Sequence, residues 1–368
     1  MKETMPDKLP ETMSGVLLSG HGGFDKLEYR TDIPVPQPGD NDVLIRVRGT
    51  SVNNTDINTR TAWYARSVRS DTQTTTSDTA EPPDVGSWTG NPLTFPLIQG
   101  ADCFGTVVAA GRNVSDNKVG RSVLVRSMMY GPVDFRPYEC ATLGSEFNGA
   151  FAQYCAVHEG DAFEINCDLS DIELGAIPCA FSTAEGMLVR AGITEKDRIL
   201  VTGASGGVGL AAVQLARLRG TEVIAVASRS KLDEVLAAGA SKAVAREADL
   251  IAELGENSVT AVVDLVGGET WPCLLDLLRP GGRYVTAGAI AGPIVELDLR
   301  TLYLKDLSLY GCVYQESNVF PNLVRYLEEG RLRPRIAATY PLEDIIEAQK
   351  KFLEKDFVGK IGLIPPQD

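Results

Sequence analysis

Residues 198–228, RILVTGASGGVGLAAVQLARLRGTEVIAVAS, constrain the fold more than any other part of the chain. The pattern predicts a buried strand over 198–202, a glycine-rich turn, a long helix over about 208–219 and a second buried strand over 222–227. Two further apolar runs, VTAVVDLVGG and GGRYVTAGA, alternate with segments of helical spacing. Apolar strands that alternate with helices predict a parallel sheet with helices on both faces.

The glycine-rich turn has the context that a dinucleotide-binding turn requires, because a strand precedes it and a helix follows it. Gly206 would let the backbone approach a pyrophosphate, and Gly209 would let the helix pack closely against the strand. The start of the helix, with Ser205, Gly207 and Val208, would supply N–H groups and a partial positive charge. The alternative is an ordinary strand–helix turn with incidental glycines.

The end of the second strand favours NADPH over NADH. NAD-dependent proteins usually place Asp or Glu there to bind the ribose hydroxyls, whereas in this chain no carboxylate follows the end of the strand until Asp233. Ser228, Arg229 and Lys231 stand there instead, and their side chains suit a 2′-phosphate. The alternative is that Arg229 and Lys231 are ordinary solvated surface charges.

The charge balance limits the partners that the chain can bind. Its 368 residues carry a formal net charge of -14, which argues against nucleic acid and anionic membranes. No apolar run approaches the ~18 residues of a membrane span. Seven cysteines without a CxxC pair are typical of reduced thiols. We therefore expect a cytoplasmic protein with a small-molecule substrate.

The chain before this region reads as β-rich, with alternating or apolar strand patterns in DVLIRVRGTSV, GTVVAAG and RSVLVRS. With the motifs GAD (100–102), IPCAFSTAEGML (177–188), VVDLVGG (262–268) and a C-terminal GKIGL, the whole chain resembles the medium-chain dehydrogenase/reductase superfamily. TGASGGVGLAAVQLA resembles its zinc-independent quinone oxidoreductase branch.

The resemblance implies an α/β fold, with a doubly wound parallel Rossmann sheet and a GroES-like β-rich catalytic domain. The catalytic domain would span residues 1–178, the Rossmann domain 179–312, and a return segment, 313–368, would complete the catalytic domain. The resemblance also implies a homodimer joined at the edge of the Rossmann sheet, and an active site between the two domains.

Metal-dependent members of the superfamily bind zinc through Cys, His and a second Cys. The matching positions here are Asn53, Ala101 and Cys179, and a single thiolate does not hold zinc. The cysteine-rich lobe of a structural zinc is also missing. Cys103 and His21 remain as alternative ligands, but we expect no metal.

The resemblance places the active-site pattern N-x-x-D, followed by Arg and Tyr, at Asn53, Asp56, Arg60 and Tyr64. Asn53 would donate to a substrate oxygen, Tyr64 would donate a hydrogen bond or a proton, and Asp56 would orient its neighbours. A tyrosine common in the branch is replaced by Asn58, which leaves the proton donor open. Local backbone bonding is the alternative for Asn53 and Asp56, and packing is the alternative for Tyr64.

Further cofactor contacts follow from matching positions. Thr183 and Gly267 would lie near the nicotinamide and its ribose, Arg246 near the 2′-phosphate, and Lys360 near the nicotinamide side or on the surface. Outside these motifs, Tyr130, Arg136 and Tyr138 are candidates to line a substrate pocket. Residues 65–92, rich in Thr, Ser, Asp and Pro, would form either a lid after Tyr64 or a passive loop.

These features predict an NADPH-dependent, zinc-independent oxidoreductase that transfers hydride to a quinone or an α,β-unsaturated carbonyl. An NADP-dependent alcohol or carbonyl oxidoreductase is the first alternative. A non-catalytic NADPH-binding sensor is the second alternative, because such a protein would keep the same cofactor turn.

Overall fold

The computed structural model describes residues 9–72, 87, 90, 92–114 and 118–367. The proposed lid therefore lies largely outside the described residues. The first half of the chain is built from short strands around one helix, α1 (Asn54–Arg60). These strands are β1 (Thr12–Leu18), β2 (Leu27–Pro34), β3 (Asp42–Val52), β4 (Leu97–Ile98), β5 (Phe104–Ala110), β6 (Ser122–Val125), β7 (Met128–Met129), β8 (Ala141–Thr142), β9 (Tyr154–His158) and β10 (Ala162–Glu164).

The chain returns to this β-rich part at its C-terminal end. There, β17 (Ile336–Pro341) pairs in parallel with β18 (Lys360–Ile364), and β18 pairs antiparallel with β3. The resulting sheet has the order β10-β6-β5-β3-β18-β17, and β9 also pairs with β3. In this register Ile361 lies opposite Val52, so Lys360 lies close to Asn53.

The second sheet consists of β11 (Arg198–Val201), β12 (Glu222–Ala227), β13 (Lys242–Ala245), β14 (Val259–Asp264), β15 (Leu278–Thr286) and β16 (Ser308–Gly311). It is parallel throughout, in the order β13-β12-β11-β14-β15-β16. Numbered from its first strand, this is the 3-2-1-4-5-6 order of a dinucleotide-binding fold. The predicted fold class, a doubly wound parallel sheet with a GroES-like β-rich domain, is confirmed.

Helices cover both faces of the parallel sheet. One apolar cluster packs α3 (Pro178–Arg190) and α4 (Gly207–Leu218) against one face of the sheet, and a second packs α6 (Leu250–Leu254) and α7 (Trp271–Leu277) against the other face. The helices after α1 are α2 (Asp171–Leu174), α3 (Pro178–Arg190), α4 (Gly207–Leu218), α5 (Leu232–Ala237), α6 (Leu250–Leu254), α7 (Trp271–Leu277), α8 (Leu299–Leu304), α9 (Val319–Glu328) and α10 (Ile345–Glu354). Among the helices described, none has the length and apolar composition to cross a bilayer.

Candidate functional site

A buried carboxylate, Asp102, organises the polar centre of the site. Asp102 is 0% exposed and lies just before β5. Its Oδ2 accepts hydrogen bonds from Ser51 Oγ, from Asn53 Nδ2 at 2.8 Å and from Lys360 Nζ at 3.1 Å. Its Oδ1 accepts the backbone N–H of Cys179, in the first turn of α3, at 2.7 Å. Four donors on one carboxylate satisfy its charge inside the protein.

Lys360 joins this centre to the glycine-rich turn. Its side chain is buried, and its ammonium group also donates to Asn53 Oδ1. A Cβ atom at Gly207 would lie 2.6 Å from Lys360 Cδ, so the lysine stem lies directly against the turn. The neighbouring Gly359 N–H donates to Ser205 O at 2.9 Å. The alternative of Lys360 as a surface lysine is therefore wrong.

Asn53 and Asp56 lie at the start of α1 and are both bonded locally. The Asn53 N–H donates to Asp56 Oδ2 at 2.7 Å, and the Ala101 N–H donates to Asp56 Oδ1 at 3.3 Å. Burial raises the pKa of Asp56 to about 7. The Asn53 amide nitrogen donates to Asp102 and, at 3.3 Å, to Ser51 O. In this structure the Asn53 amide nitrogen is therefore hydrogen-bonded within the protein, to Asp102 and Ser51, and not free to donate to a substrate oxygen as predicted.

Tyr64 follows α1 and is half-buried. Its hydroxyl forms hydrogen bonds with the side chains of Thr55 and Asn58, and burial raises its pKa well above the usual range. Tyr64 therefore keeps its proton across the physiological range. The nearby Cys179 and Asp56 contribute to the same shift, so the predicted catalytic residues share one neighbourhood. Asn58, which replaces a tyrosine of the family pattern, contacts the hydroxyl of Tyr64.

The metal-ligand positions do not fit zinc. Ala101 has no ligating side chain, and the Asn53 amide is bonded to Lys360 and Asp102. Cys179 is buried beside Asp102, and burial raises the pKa of its thiol well above the usual range. His21 lies elsewhere, with Nδ1 2.8 Å from Thr59 O. Within the part of the chain that the structure describes, no cluster of His, Cys, Asp or Glu has the geometry to hold a metal ion.

The glycine-rich turn has the shape of a phosphate cradle. A Cβ atom at Gly206 would meet only Gly203 O, at 3.5 Å, so this position can be approached closely from outside. At Gly209 a Cβ atom would lie 2.2 Å from the same oxygen, which only glycine avoids. Gly206 caps α4, and the next residues, Gly207 and Val208, form its first turn. The packing role predicted for Gly209 matches this geometry, and the space outside Gly206 is compatible with the predicted approach of a pyrophosphate.

Basic residues gather where β12 ends. Ser228 and Arg229 follow the strand, and the backbone N–H of Arg246 donates to Ala227 O at 2.8 Å. Lys231 is only 8% exposed, and burial, helped by Arg246, lowers its pKa. Lys231 is therefore not a solvated surface charge, whereas Arg229 is exposed. The exposed Arg246 side chain pairs with its neighbour Glu247 at 2.9 Å.

Lys355 belongs to this basic group and was missed by sequence reasoning. The Lys231 ammonium donates to Lys355 O, and Lys355 Nζ donates to Asn54 Oδ1 at 3.1 Å. Its ammonium also lies 3.6 Å from the centre of the Phe352 ring. Burial, with Lys231 beside it, lowers the pKa of Lys355 to about 7. No motif marks Lys355, because only the return of the chain brings it to Lys231.

The remaining predicted cofactor residues lie on elements that border the same region. Thr183 is half-buried in α3, one helical turn after Cys179. Gly267 follows β14 with φ +63°, and a Cβ atom there would lie 2.9 Å from Gly292 O. Ser205, Ser228 and Gly267 each follow a parallel strand, so they share the edge where such sheets bind ligands.

Comparisons with known proteins match both parts of the chain. Residues 39–166 match the alcohol dehydrogenase GroES-like domain, and residues 207–329 match the zinc-binding dehydrogenase family. An acryloyl-coenzyme A reductase of Sulfurisphaera tokodaii is 27% identical over 365 residues, covering 96% of this chain and 100% of the relative. A human quinone oxidoreductase is 26% identical over 367 residues, covering 96% and 98%.

A solved structure extends this likeness to the whole fold. The crystal structure of a putative alcohol dehydrogenase from Sinorhizobium meliloti 1021 is 42% identical and has a TM-score of 0.88. The match covers 97% of this chain and 98% of that one. With the sheet order, the glycine-rich turn and the two family matches, this likeness shows that the chain belongs to the medium-chain dehydrogenase/reductase superfamily.

Proposed function

We propose that the protein is an NADPH-dependent reductase of activated carbon–carbon double bonds that works without zinc. The observation that carries the proposal is the buried Lys360 ammonium, bonded to Asn53 at the position where relatives place a zinc ligand. The ammonium group of Lys360 thus lies beside Asp102, and the stem of the side chain packs against the glycine-rich turn. Reduction of a conjugated carbonyl needs no metal to stabilise an alkoxide, because the acceptor is already polarised.

The residues present fit a nicotinamide dinucleotide phosphate. Ser205, Gly206, Gly207 and Val208 would hold the pyrophosphate at the start of α4. Ser228, Arg229, Lys231, Arg246 and Lys355 would hold the 2′-phosphate, because each can donate to an anionic oxygen. Thr183, Gly267 and Lys360 would border the nicotinamide and its ribose. When bound, the reduced nicotinamide supplies the hydride.

The chain's own groups would complete the reaction. The hydroxyl of Tyr64 keeps its proton, so it can donate a hydrogen bond to the substrate oxygen as enolate charge develops there. Thr55 and Asn58 hold that hydroxyl in place. Asn53 and Asp56 fix the start of α1. The proton that completes the product comes from Tyr64 or from water.

The relatives support the substrate class. Two relatives are named as an acryloyl-coenzyme A reductase and a quinone oxidoreductase. Acryloyl-coenzyme A and quinones both carry a double bond conjugated to a carbonyl. For this chain the proposed class is therefore quinones, α,β-unsaturated ketones and enoyl thioesters. A chain of this composition and charge is proposed to act in the cytoplasm.

The test is NADPH oxidation followed at 340 nm with but-3-en-2-one, 1,4-naphthoquinone and crotonyl-coenzyme A. We expect turnover with at least one acceptor, a clear preference for NADPH over NADH, and at least a tenfold loss of kcat in Tyr64→Phe. Lys231→Met should raise the KM for NADPH, whereas the exposed Lys196→Met should not. Failure of every acceptor to oxidise NADPH would contradict the proposal.

Two findings favour the alcohol oxidoreductase alternative. The solved structure at 42% identity is named as a putative alcohol dehydrogenase, and Cys179 stands at the second cysteine position of the zinc site. One zinc per chain, with NADP-dependent oxidation of alcohols, would establish this alternative. Binding of NADPH without any turnover would instead favour the sensor, whose function should survive Tyr64→Phe.

A further inference from the structure

The chain leaves α1 through a tight reversal that brings Tyr64 back against the helix. Ala62 is buried with φ +56°, and the Trp63 N–H donates to Asn58 O at 2.8 Å, which is a left-handed helix end. The hydroxyl of Tyr64 consequently reaches the side chain of Asn58. We name residues 62–72, which lead away from α1 at this point, the strap.

The far end of the strap is fixed to the domain of the parallel sheet. Thr72 is 4% exposed, and both its backbone N–H and its hydroxyl donate to Ile290 O, at 3.2 and 3.4 Å. We name these two hydrogen bonds the clasp. Ile290 belongs to the loop 287–292, which follows β15. Within the strap, the Trp63 indole N–H donates to Ser70 O at 3.0 Å, so the strap is also braced between its two ends.

The loop 287–292 lies on the turn that is proposed to contact the cofactor ribose. The Gly268 N–H donates to Gly292 O at 3.2 Å, and a Cβ atom at Gly267 would lie 2.9 Å from the same oxygen. The strap therefore runs from Tyr64, on the catalytic-domain side of the proposed site, to the loop that packs on Gly267, on the other side.

The strap joins the two parts of the protein that the cofactor would touch. In the proposed function the nicotinamide has to contact a substrate whose oxygen is held by Tyr64, while its ribose contacts Gly267. A closed clasp would therefore enclose the nicotinamide end of the cofactor, and an open clasp would release it. One hydrogen bond shifts such an equilibrium by a net factor of only about 2- to 12-fold, so the clasp can open readily.

We propose that the strap is a gate for the nicotinamide cofactor, and that the clasp between Thr72 and Ile290 has to open before the cofactor enters or leaves. The inference rests on the proposed function for the position of the nicotinamide, but the gate itself acts on binding and not on the chemical step. Because the clasp contains no cofactor atom, opening it costs the same with and without the cofactor. The gate should therefore set both the association and the dissociation rate and leave the Kd nearly unchanged.

The test locks the clasp with a disulfide in Thr72→Cys/Ile290→Cys. The backbone hydrogen bond holds these two residues close enough for such a bridge. The double variant is treated with oxidised glutathione while NADPH is bound, and NADPH release is followed by stopped-flow fluorescence after mixing with excess NADP⁺. We expect release to be slower by about tenfold or more, and dithiothreitol to reverse the effect. Wild type and the two single variants, oxidised in the same way, are the controls, because the chain has free cysteines of its own.

The opposite change removes the clasp. Thr72→Pro lacks both donors, so we expect NADPH to associate and dissociate about 2- to 12-fold faster, with a nearly unchanged Kd. Arg69→Pro is the matched control, because Arg69 is exposed in the same strap, and it should keep both rates. An oxidised double variant that releases NADPH as fast as the reduced one would overturn the proposal. A cysteine pair that does not crosslink would also overturn it, because Thr72 and Ile290 would then not meet in the folded protein.

These rates separate the gate from the proposed function. If no acceptor oxidises NADPH, the proposed reaction fails, but the release rate of the locked variant still tests the gate. NADH replaces NADPH as the probe if NADPH binds weakly, because membership of the superfamily implies a nicotinamide cofactor in either case. Slower release from the locked variant then supports the gate without the proposed reaction, and equal release overturns the gate even where turnover is found.

Discussion

Removal of the Lys360 ammonium should destabilise the protein more than removal of any surface lysine. In Lys360→Met the side chain keeps a similar length and apolar stem, but Asp102 loses its cation. Both residues are almost fully buried, and Asn53 Oδ1 loses a donor at the same time. Breaking a buried ion pair by removing one partner costs about 3–5 kcal/mol.

The structure places the expected cost at the lower end of that range. Asp102 keeps hydrogen bonds from Ser51, Asn53 and the Cys179 N–H, which still compensate part of its charge. We therefore expect a loss of about 3 kcal/mol in the free energy of unfolding. The assay is urea unfolding of the cofactor-free protein at pH 7.5, followed by tryptophan fluorescence, with compared midpoints and slopes.

A double-mutant cycle with Asp102→Asn isolates the ion pair. If the lysine acts by balancing the carboxylate, Lys360→Met/Asp102→Asn should lose at least 1 kcal/mol less than the sum of the single variants. Lys350→Met is the matched control, since Lys350 is 51% exposed and pairs with Glu347 on the surface of α10, so its loss should stay below about 1 kcal/mol. A loss below about 1 kcal/mol in Lys360→Met, or strictly additive single effects, would show that Lys360 does not balance the buried charge of Asp102.

Three further predictions follow from the buried charges and the exposed apolar surface. Burial raises the pKa of Asp56 from 3.8 to about 7, so the stability that its protonated form contributes is full below about pH 4 and is lost as the pH rises through 7. Between these pH values the free energy of unfolding should fall by an amount on the order of 4 kcal/mol, and Asp56→Asn should remove this fall. An Asp56→Asn profile that is unchanged from the wild type would argue against the shift. Burial lowers the pKa of Lys355 to about 7, so above that pH Lys355 must take up a proton when a 2′-phosphate binds. In fluorescence titrations the Kd of the wild type for NADPH should therefore rise by up to about tenfold per pH unit above 7. The Kd of the wild type for NADH and the Kd of Lys355→Met for NADPH should not rise in this way. Tyr303 and Leu304 on α8, the helix that precedes the edge strand β16 in the chain, are 62% and 70% exposed. Exposed apolar side chains of this kind are typical of an interface, so we expect a homodimer through this region. Light scattering should show a dimer that Leu304→Glu dissociates, and a wild-type monomer would contradict this expectation.

The elements that follow from local pattern were predicted closely. The strand predicted over 222–227 is β12 with the same bounds, and the alternating DVLIRVRGTSV is β3 throughout. The helix predicted over about 208–219 begins and ends one residue earlier, at Gly207 and Leu218. These features depend on neighbouring residues, since periodicity and glycine spacing are local properties of the chain.

The contacts that build the centre of the site do not follow from local pattern. Lys360 and Asp102 are 258 positions apart, and Lys355 and Asn54 are 301 apart. Both contacts arise because β18 returns to pair with β3. The sequence identified Lys360 as a candidate, but nothing in it predicted that the ammonium would bond to Asn53, or that the amide of Asn53 would already be engaged.

The proposed reaction is reduction by NADPH without a bound metal. The most direct measurement follows NADPH oxidation with but-3-en-2-one and 4-phenylbut-3-en-2-one, in samples whose zinc content is determined before and after a chelator. We expect the same rate per chain in both samples, with zinc far below one ion per chain. A rate that falls with the zinc content and returns when zinc is restored would contradict it.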